Sequence, residues 1–189
     1  MNTLYFVRHA KPDFSIHDDL TRPLTQEGME ASKNLTRFFL DKNITKFYSS
    51  PYKRSIDTIL DLSEHLGLEI IPVEDFRERK ISNGWIEDFN TFSKIQWEDF
   101  EYKLEEGECL REVQARNISA LHKILNENDG ENIVIGTHGT ALSAILNYYD
   151  KTFDYSKFEM IKEKMPWVVC LKFEGMELLE IELDMYTNI

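Results

Sequence analysis

Two histidines that each follow an apolar run are the residues of this sequence best placed to do chemistry. Residues 4–7, LYFV, have the β-branched and aromatic content of a buried strand, and Arg8 and His9 follow them. Residues 132–136, NIVIG, form a second apolar run, and His138 comes just before a predicted helix. Such a strand end can simply reach solvent, or it can form an anion site with a nucleophile or general base. Two histidines at strand ends favour the second interpretation.

A further arginine lies in the first turn of a predicted helix. The sequence SSPYKRSIDT predicts Ser50 as the N-cap and Pro51 as the first helical residue, which puts Arg54 beside the positive end of the helix dipole. A cation is disfavoured there unless an anion is bound, so Arg54 is either a surface residue or part of an anion pocket. Together with Arg8 it favours an oxyanion or phosphate pocket, because guanidinium groups bind phosphate oxygens bidentately.

A carboxyl group, that of Glu78, follows the third predicted strand, residues 68–73. A carboxylic acid at this edge of the sheet could protonate a leaving oxygen. Other acidic residues lie nearby, and a run of charge usually marks a solvated face: Glu74, Asp75, Glu87 and Asp88. The sequence alone does not choose between Glu78 and these neighbours.

The elements that must position these groups alternate between strand and helix. Helices are predicted at 25–40, from Ser50 to Gly67, from Leu110 to Leu125 and at 140–149, and strands at 4–7, 46–50, 68–73 and 132–136. Residues 167–173 and 177–183 favour an antiparallel edge pair, and residues 81–106 an irregular, aromatic-rich cap insertion. We therefore predict one domain over 1–189: a three-layer α/β/α sandwich with a mostly parallel central sheet. Its reactive groups should lie where strand carboxyl ends meet helix N-termini.

Composition excludes several kinds of partner. The net charge of −12 argues against nucleic acid and anionic membranes. No apolar run is long enough to span a bilayer and residues 1–7 do not form a signal peptide, so we expect a cytoplasmic protein.

Its two cysteines, Cys109 and Cys170, are expected to be free thiols. No zinc-ligand spacing occurs, and a metal held by Asp13 and His9 is disfavoured, so no cofactor is expected.

Six short motifs in order resemble those of a known family. They are RHA at 8–10, LTQEG at 24–28, SSPYKRSIDT at 49–58, FRER at 76–79, GEC at 107–109 and THG at 137–139. The histidine phosphatase superfamily, in its phosphoglycerate-mutase-like clan with branch 2 excluded, has RHG, LTxxG, SSxxxRAxxT, LxE, GES and HG in this order. The resemblance extends from about residue 4 to residue 147, and we identify the chain as similar to phosphatase-type members.

The resemblance implies a metal-independent mechanism through a covalent intermediate. His9 corresponds to the nucleophile that takes the phosphoryl group as a phosphohistidine, since a neutral imidazole nitrogen can attack phosphorus in line. Glu78 corresponds to the general acid that protonates the leaving alcohol and then activates water. Arg8 and His138 belong to the same catalytic group.

The resemblance also implies a phosphate-binding set, Arg8, Arg54, His138 and Gly139, that stabilises the charge on the phosphate oxygens. The sequence departs from the family pattern at four positions, one of which is Lys11 in place of the common Glu or Gln. Ala10 replaces a glycine, Cys109 replaces the serine of GES, and Ser15 falls where asparagine is frequent.

Residues around the phosphate-binding set would determine which substrate is bound. Lys11 could add positive charge near the phosphate or point into solvent, and Ser15 could alter substrate choice. Trp85 could line an apolar pocket, although most aromatic residues of the cap insertion are expected to pack it onto the core.

Within the family, the short chain and modest insertion favour hydrolysis of a small phosphate monoester over phosphoglycerate mutase-type phosphoryl transfer. The segments RHAK and DDLTRPLT also resemble those of short protein-phosphohistidine phosphatases, which typically lack such an insertion with its acid. A non-catalytic phosphate-binding module is a third alternative. It is disfavoured because neither histidine is missing. The partner expected is thus a small phosphorylated molecule. The oligomeric state is not predicted.

Overall fold

A six-stranded sheet runs through the protein, whose computed structural model describes residues 1–187. The strands are β1 (Asn2–Arg8), β2 (Lys46–Ser49), β3 (Ile70–Pro72), β4 (Asn132–Thr137), β5 (Trp167–Glu174) and β6 (Glu177–Thr187). Their order across the sheet is β3-β2-β4-β1-β5-β6. The first four strands run parallel, and β5 and β6 join β1 as the predicted antiparallel edge pair.

Helices cover both faces of this sheet. They are α1 (Gln26–Phe39), α2 (Lys53–Leu66), α3 (Phe89–Glu98), α4 (Leu110–Glu127), α5 (Gly139–Tyr149) and α6 (Tyr155–Ile161). Strand β1 shows the layering, because alternate side chains of a strand point to opposite faces. Leu4 and Phe6 join a core cluster with α4, α5 and α6, whereas Tyr5 and Val7 join a second cluster with α1 and α2. The predicted three-layer α/β/α sandwich is confirmed.

The two helices that follow β1 and β2 have clear termini. Thr25 caps α1 as predicted, because its hydroxyl accepts a hydrogen bond from the backbone N–H of Gly28 at 3.0 Å. Gly67 ends α2 in the left-handed region at φ 65°, also as predicted. The predicted start of α2 is wrong: Tyr52, not Ser50, is its N-cap, and Pro51 precedes the helix.

The cap insertion, residues 81–106, contains α3, whereas the sequence predicted an irregular segment. Its buried side combines the aromatic residues Phe92 and Trp97 with the polar residues Ser93 and Gln96. This mixture obscures the apolar stripe by which a helix is recognised in a sequence. Phe92 and Trp97 pack inward as expected of most aromatic residues there, whereas Trp85 is 58% exposed.

Two further features follow from the described chain. Cys109 and Cys170 are both buried free thiols, and burial raises the pKa of Cys170 to about 12. Within residues 1–187, no helix is both long and apolar enough to cross a membrane.

Candidate active site

His9 stands at the carboxyl end of β1, in the middle of the sheet. Its backbone N–H donates to the carbonyl of Thr137 in the neighbouring strand β4, 3.1 Å away. Its ring Nδ1 lies 2.8 Å from the carbonyl oxygen of Ala10. A carbonyl only accepts hydrogen bonds, so Nδ1 carries the proton and Nε2 of the neutral ring keeps its lone pair.

The surroundings of His9 keep this ring neutral. The side chain is buried, and burial together with the nearby positive charges of Arg54 and Arg8 places the pKa of His9 well below its ordinary value. A neutral imidazole with a free Nε2 can act as a nucleophile.

His138 occupies the matching position at the end of β4, and its ring centroid is 5.3 Å from that of His9. Its Nε2 lies 2.7 Å from the hydroxyl oxygen of Ser50, which also accepts the backbone N–H of Tyr52 at 3.3 Å. When the Ser50 hydroxyl donates to Nε2, Nδ1 carries the ring proton. That Nδ1 is buried with no hydrogen-bond partner among the described residues.

Arg8 reaches the same place from the last position of β1. Its Nη1 donates to the carbonyls of Ile161 and Lys164, at 2.6 and 3.2 Å, near the end of α6. Burial lowers its pKa to about 10, so the side chain is charged at neutral pH. Its buried Nε has no partner within residues 1–187. The guanidinium packs against Gly139, where a Cβ would lie 3.1 Å from Nε.

Arg54 and Arg22 are held by the loop that follows β1. Arg54 donates through Nη1 to the backbone carbonyl of Asp19 at 2.6 Å, and its Nη2 is 3.4 Å from the carboxylate of the same residue. Arg22 lies 3.0 Å from that carboxylate and also donates to the carbonyls of Ile16 and His17. Both arginines are buried, and the positive charge of each acts on His9.

Glu78 closes the site from the third strand-to-helix connection. The two oxygens of its carboxyl group accept three backbone N–H bonds, from Arg79 at 2.8 Å and from Thr140 and Ala141 at 3.1 Å each. The last two donors belong to the first turn of α5. The carboxyl group is thus fixed beside the turn that carries His138.

The structure therefore brings together most of the predicted site residues: Arg8, His9, Arg54, Glu78, His138 and Gly139. Two others bond elsewhere. Lys11 is exposed and pairs with Glu27 at 2.7 Å, and the hydroxyl of Ser15 bonds to Asp13 at 2.7 Å. Among residues 1–187, no three His, Cys, Asp or Glu side chains are grouped so that they could hold a metal ion.

Trp85 lies at the surface of the cap insertion and stacks on His17. The two ring centroids are 4.3 Å apart and the planes differ by 10°. His17 belongs to the same loop that holds Arg22. The aromatic pair therefore joins the cap insertion to the loop after β1.

Three residues of the site were missed or given another role by the sequence analysis. Ser50 was predicted as a helix cap but bonds to His138. The ring of Tyr52 lies 5.2 Å from that of His138 and 5.1 Å from the guanidinium carbon of Arg54. Arg22 is buried beside Asp19. The available signal was position: Ser50 and Tyr52 lie inside the SSPYKRSIDT motif, and Arg22 inside DDLTRPLT.

Comparison with known proteins agrees with this geometry. The model of the histidine phosphatase superfamily (branch 1) matches residues 4–178. The chain belongs to this superfamily. It is 30% identical over 160 residues to a Hydrogenobacter thermophilus protein named "Putative phosphoserine phosphatase 2", a match that covers 77% of each chain.

Solved structures with a similar fold match this chain over nearly its whole length. Bacillus stearothermophilus YhfR superposes with a TM-score of 0.82 at 20% identity and covers 100% of this chain and 98% of its own. A mycobacterial glucosyl-3-phosphoglycerate phosphatase in complex with VO3 gives a TM-score of 0.81 at 16% identity and covers 97% of this chain and 98% of its own. At these identities the likeness concerns the fold.

Proposed function

We propose that this protein is a phosphatase that hydrolyses a small phosphate monoester, without a metal ion, through a phosphohistidine formed on His9. The observation that carries the proposal is the state of the His9 ring. It is neutral, its Nδ1 is bound to the Ala10 carbonyl, and its free Nε2 lies among the positive charges of Arg8 and Arg54. A nucleophile surrounded by cations suits an anionic electrophile such as a phosphate ester.

In the first step, Nε2 of His9 attacks phosphorus, and the bond from phosphorus to the ester oxygen breaks. Glu78 gives its proton to that oxygen, so the product leaves as a neutral alcohol. The charge on the transferred phosphoryl oxygens is stabilised by Arg8, Arg54 and His138. Two buried nitrogen atoms without partners in the described chain, Arg8 Nε and His138 Nδ1, supply hydrogen-bond donors for this purpose.

In the second step, water attacks the phosphohistidine. Glu78, now a carboxylate, accepts a proton from the water, and the bond between Nε2 of His9 and phosphorus breaks to release inorganic phosphate. The enzyme returns to its starting state with a neutral His9 and a protonated Glu78, so the cycle balances without a further reactant.

The class of substrate is suggested by the relatives. The names phosphoserine phosphatase and glucosyl-3-phosphoglycerate phosphatase both describe enzymes that act on phosphate esters of small carboxylated molecules. We therefore place carboxylated small phosphate monoesters first among the candidate substrates. Trp85, which is exposed on the cap insertion and stacks on His17, would contact the part of the substrate beyond the phosphate.

A substrate panel tests this function. Phosphate release is measured with a metal chelator present, from phosphoserine, 3-phosphoglycerate, a sugar phosphate, a nucleotide, 4-nitrophenyl phosphate and a phosphohistidine peptide. We expect release by wild type that is abolished in His9→Ala and retained in His65→Ala, whose histidine is exposed on α2. Folded wild-type protein that releases phosphate from none of these compounds would contradict the proposal.

A further inference from the structure

The backbone segment that carries Glu78 is bound by an arginine of α4. Between the 3₁₀ turn Glu74–Phe76 and α3, the chain forms no helix or strand. Arg116 of α4 donates through Nη1 to the carbonyls of Asp75 and Arg77, at 2.8 Å each, and through Nη2 to the carbonyl of Glu78 at 3.3 Å. One guanidinium thus binds three carbonyls of this segment.

Glu108 completes the support from the connection before α4. Its carboxylate binds Nε and Nη2 of Arg116, at 2.8 and 2.9 Å, and accepts the backbone N–H of Lys80 at 2.9 Å. It also pairs with Arg77 at 3.0 Å. The side chains of Arg116 and Glu108 are only 10% and 15% exposed, so water competes weakly for these bonds.

The electrostatics of Glu108 agree with a persistent ion pair. Burial acts to raise the pKa of this carboxyl, but the hydrogen bonds from Arg116 and Lys80 and the charge of Arg77 hold it below its ordinary value. The carboxylate therefore stays charged at neutral pH and keeps Arg116 oriented toward the segment. A bidentate arginine–carboxylate pair is also directionally rigid.

We propose that Arg116 and Glu108 are positioning residues for the proton donor: they fix residues 75–80 so that the carboxyl group of Glu78 stays at the first turn of α5. This inference rests on the proposed function, in which Glu78 protonates the leaving oxygen. Neither residue bonds to His9, His138 or Arg54 in the described structure. The positive charge of Arg116 also acts on His138, and Arg116→Lys keeps that charge while it removes the bidentate contacts.

Leaving-group chemistry separates such a role from general structural support. When the ester oxygen leaves as 4-nitrophenolate, a weak base, proton donation matters little. When phenol leaves, the oxygen is more basic and the proton from Glu78 is needed. Misplacement of Glu78 therefore slows the cleavage of phenyl phosphate selectively, whereas loss of folded protein slows the cleavage of both esters equally.

The experiment measures kcat/KM of phenyl phosphate and 4-nitrophenyl phosphate for wild type, Arg116→Lys and Glu108→Gln. This parameter covers the steps up to departure of the phenol, so hydrolysis of the phosphohistidine does not enter it. We expect each variant to lose about tenfold on phenyl phosphate and about twofold or less on the nitro ester, a fraction of the full effect of a general acid. An equal loss on both esters would overturn the inference.

Two further variants sharpen the test. Glu112→Gln removes a carboxylate in the first turn of α4 that pairs with Lys103, while the glutamine can still accept the backbone N–H of Cys109. We expect the ratio of kcat/KM for the two esters to be unchanged. Glu78→Gln should itself lower kcat/KM selectively for phenyl phosphate. Adding Arg116→Lys to this variant should not lower the ratio of kcat/KM for phenyl phosphate to that for 4-nitrophenyl phosphate any further. An additive effect would contradict positioning through Glu78, while a wild type inactive on both esters would contradict the proposed function instead.

Discussion

The rings of His9 and His138 lie edge to face, with centroids 5.3 Å apart, although the two residues are far apart in the sequence. The cause is the register of the sheet. Strands β1 and β4 are parallel neighbours in which Arg8 pairs with Thr137, so the next residue of each strand is a histidine. The geometry of the site is therefore a property of the most buried part of the fold, where strands move least.

Replacement of Gly139 by alanine should displace a phosphate-binding group. The added Cβ would lie 3.1 to 3.3 Å from Nε, Cζ and Nη2 of Arg8, whose Nη1 is held by two carbonyls and cannot withdraw freely. We expect kcat/KM to fall about 100-fold, as when one donor to a developing anion is lost. Steady-state kinetics on 4-nitrophenyl phosphate measures this.

The matched control for that substitution is Gly84→Ala. A Cβ at Gly84 meets no atom within 4 Å in the described part of the chain, and its φ is not in the left-handed region. We expect activity close to wild type. Equal activity of the Gly139 and Gly84 variants would refute the close packing of Arg8 on the α5 turn.

Removal of the Ser50 hydroxyl should impair His138. A Ser50 hydroxyl that donates to Nε2, 2.7 Å away, favours the ring tautomer whose Nδ1 carries the proton, and Nδ1 is the donor that we propose for the phosphate. Ser50→Ala should lower kcat/KM about tenfold, the effect of one such hydrogen bond. Ser63→Ala on α2, which loses only the bond from its hydroxyl to the carbonyl of Leu68, should not change kcat/KM. If the two serine variants have the same activity, Ser50 does not orient His138.

Acidification should destabilise the protein through its two buried histidines. Burial and neighbouring arginines lower the pKa of both His9 and His138 in the folded state, so below about pH 6.5 the unfolded state binds more protons. Their neutral forms therefore favour folding above that pH, and this contribution is lost as pH falls. Each contributes a limiting slope of about 1.4 kcal/mol per pH unit. The free energy of unfolding is measured by urea denaturation of wild type and His9→Gln at several pH values below about 6.5. Its slope against pH should be steeper in wild type by that amount, and equal slopes would contradict the prediction.

The stacked pair of Trp85 and His17 should influence the choice of substrate rather than stability. Trp85 is 58% exposed, so its truncation removes little buried area. We expect Trp85→Ala and His17→Ala each to change the ratio of kcat/KM for 1-naphthyl phosphate and phenyl phosphate severalfold, since the leaving groups differ mainly in size. The melting temperature serves as the control. An unchanged ratio would show that the pair only packs the loop against the cap insertion.

Much of this site could be predicted because it depends on strand ends. His9, Arg54 and His138 follow predicted strands directly or open the next helix, and parallel strands present such residues at one edge of the sheet. The motif pattern added Glu78. Its hydrogen bonds to the first turn of α5 could not be predicted, because they join two connections that are distant in sequence.

The rest of the site depends on tertiary contacts that leave no local signal. Ser50 has a hydroxyl suited to capping a helix, and only the approach of β4 assigns it to His138 instead. Arg22 is buried because its guanidinium finds two carbonyls and a carboxylate in the folded loop before it. Helix α3 was missed because polar residues occupy part of its buried side.

Direct detection of the phosphoenzyme tests the central claim, that His9 carries the phosphoryl group. Wild type is mixed briefly with 4-nitrophenyl phosphate, denatured at alkaline pH because phosphohistidine is acid-labile, digested, and examined by mass spectrometry. The account predicts one phosphoryl group on His9 that is lost in acid, and neither adduct nor turnover in His9→Ala. Turnover by His9→Ala at the wild-type rate, or a phosphoryl group on a different residue of the active enzyme, would contradict it.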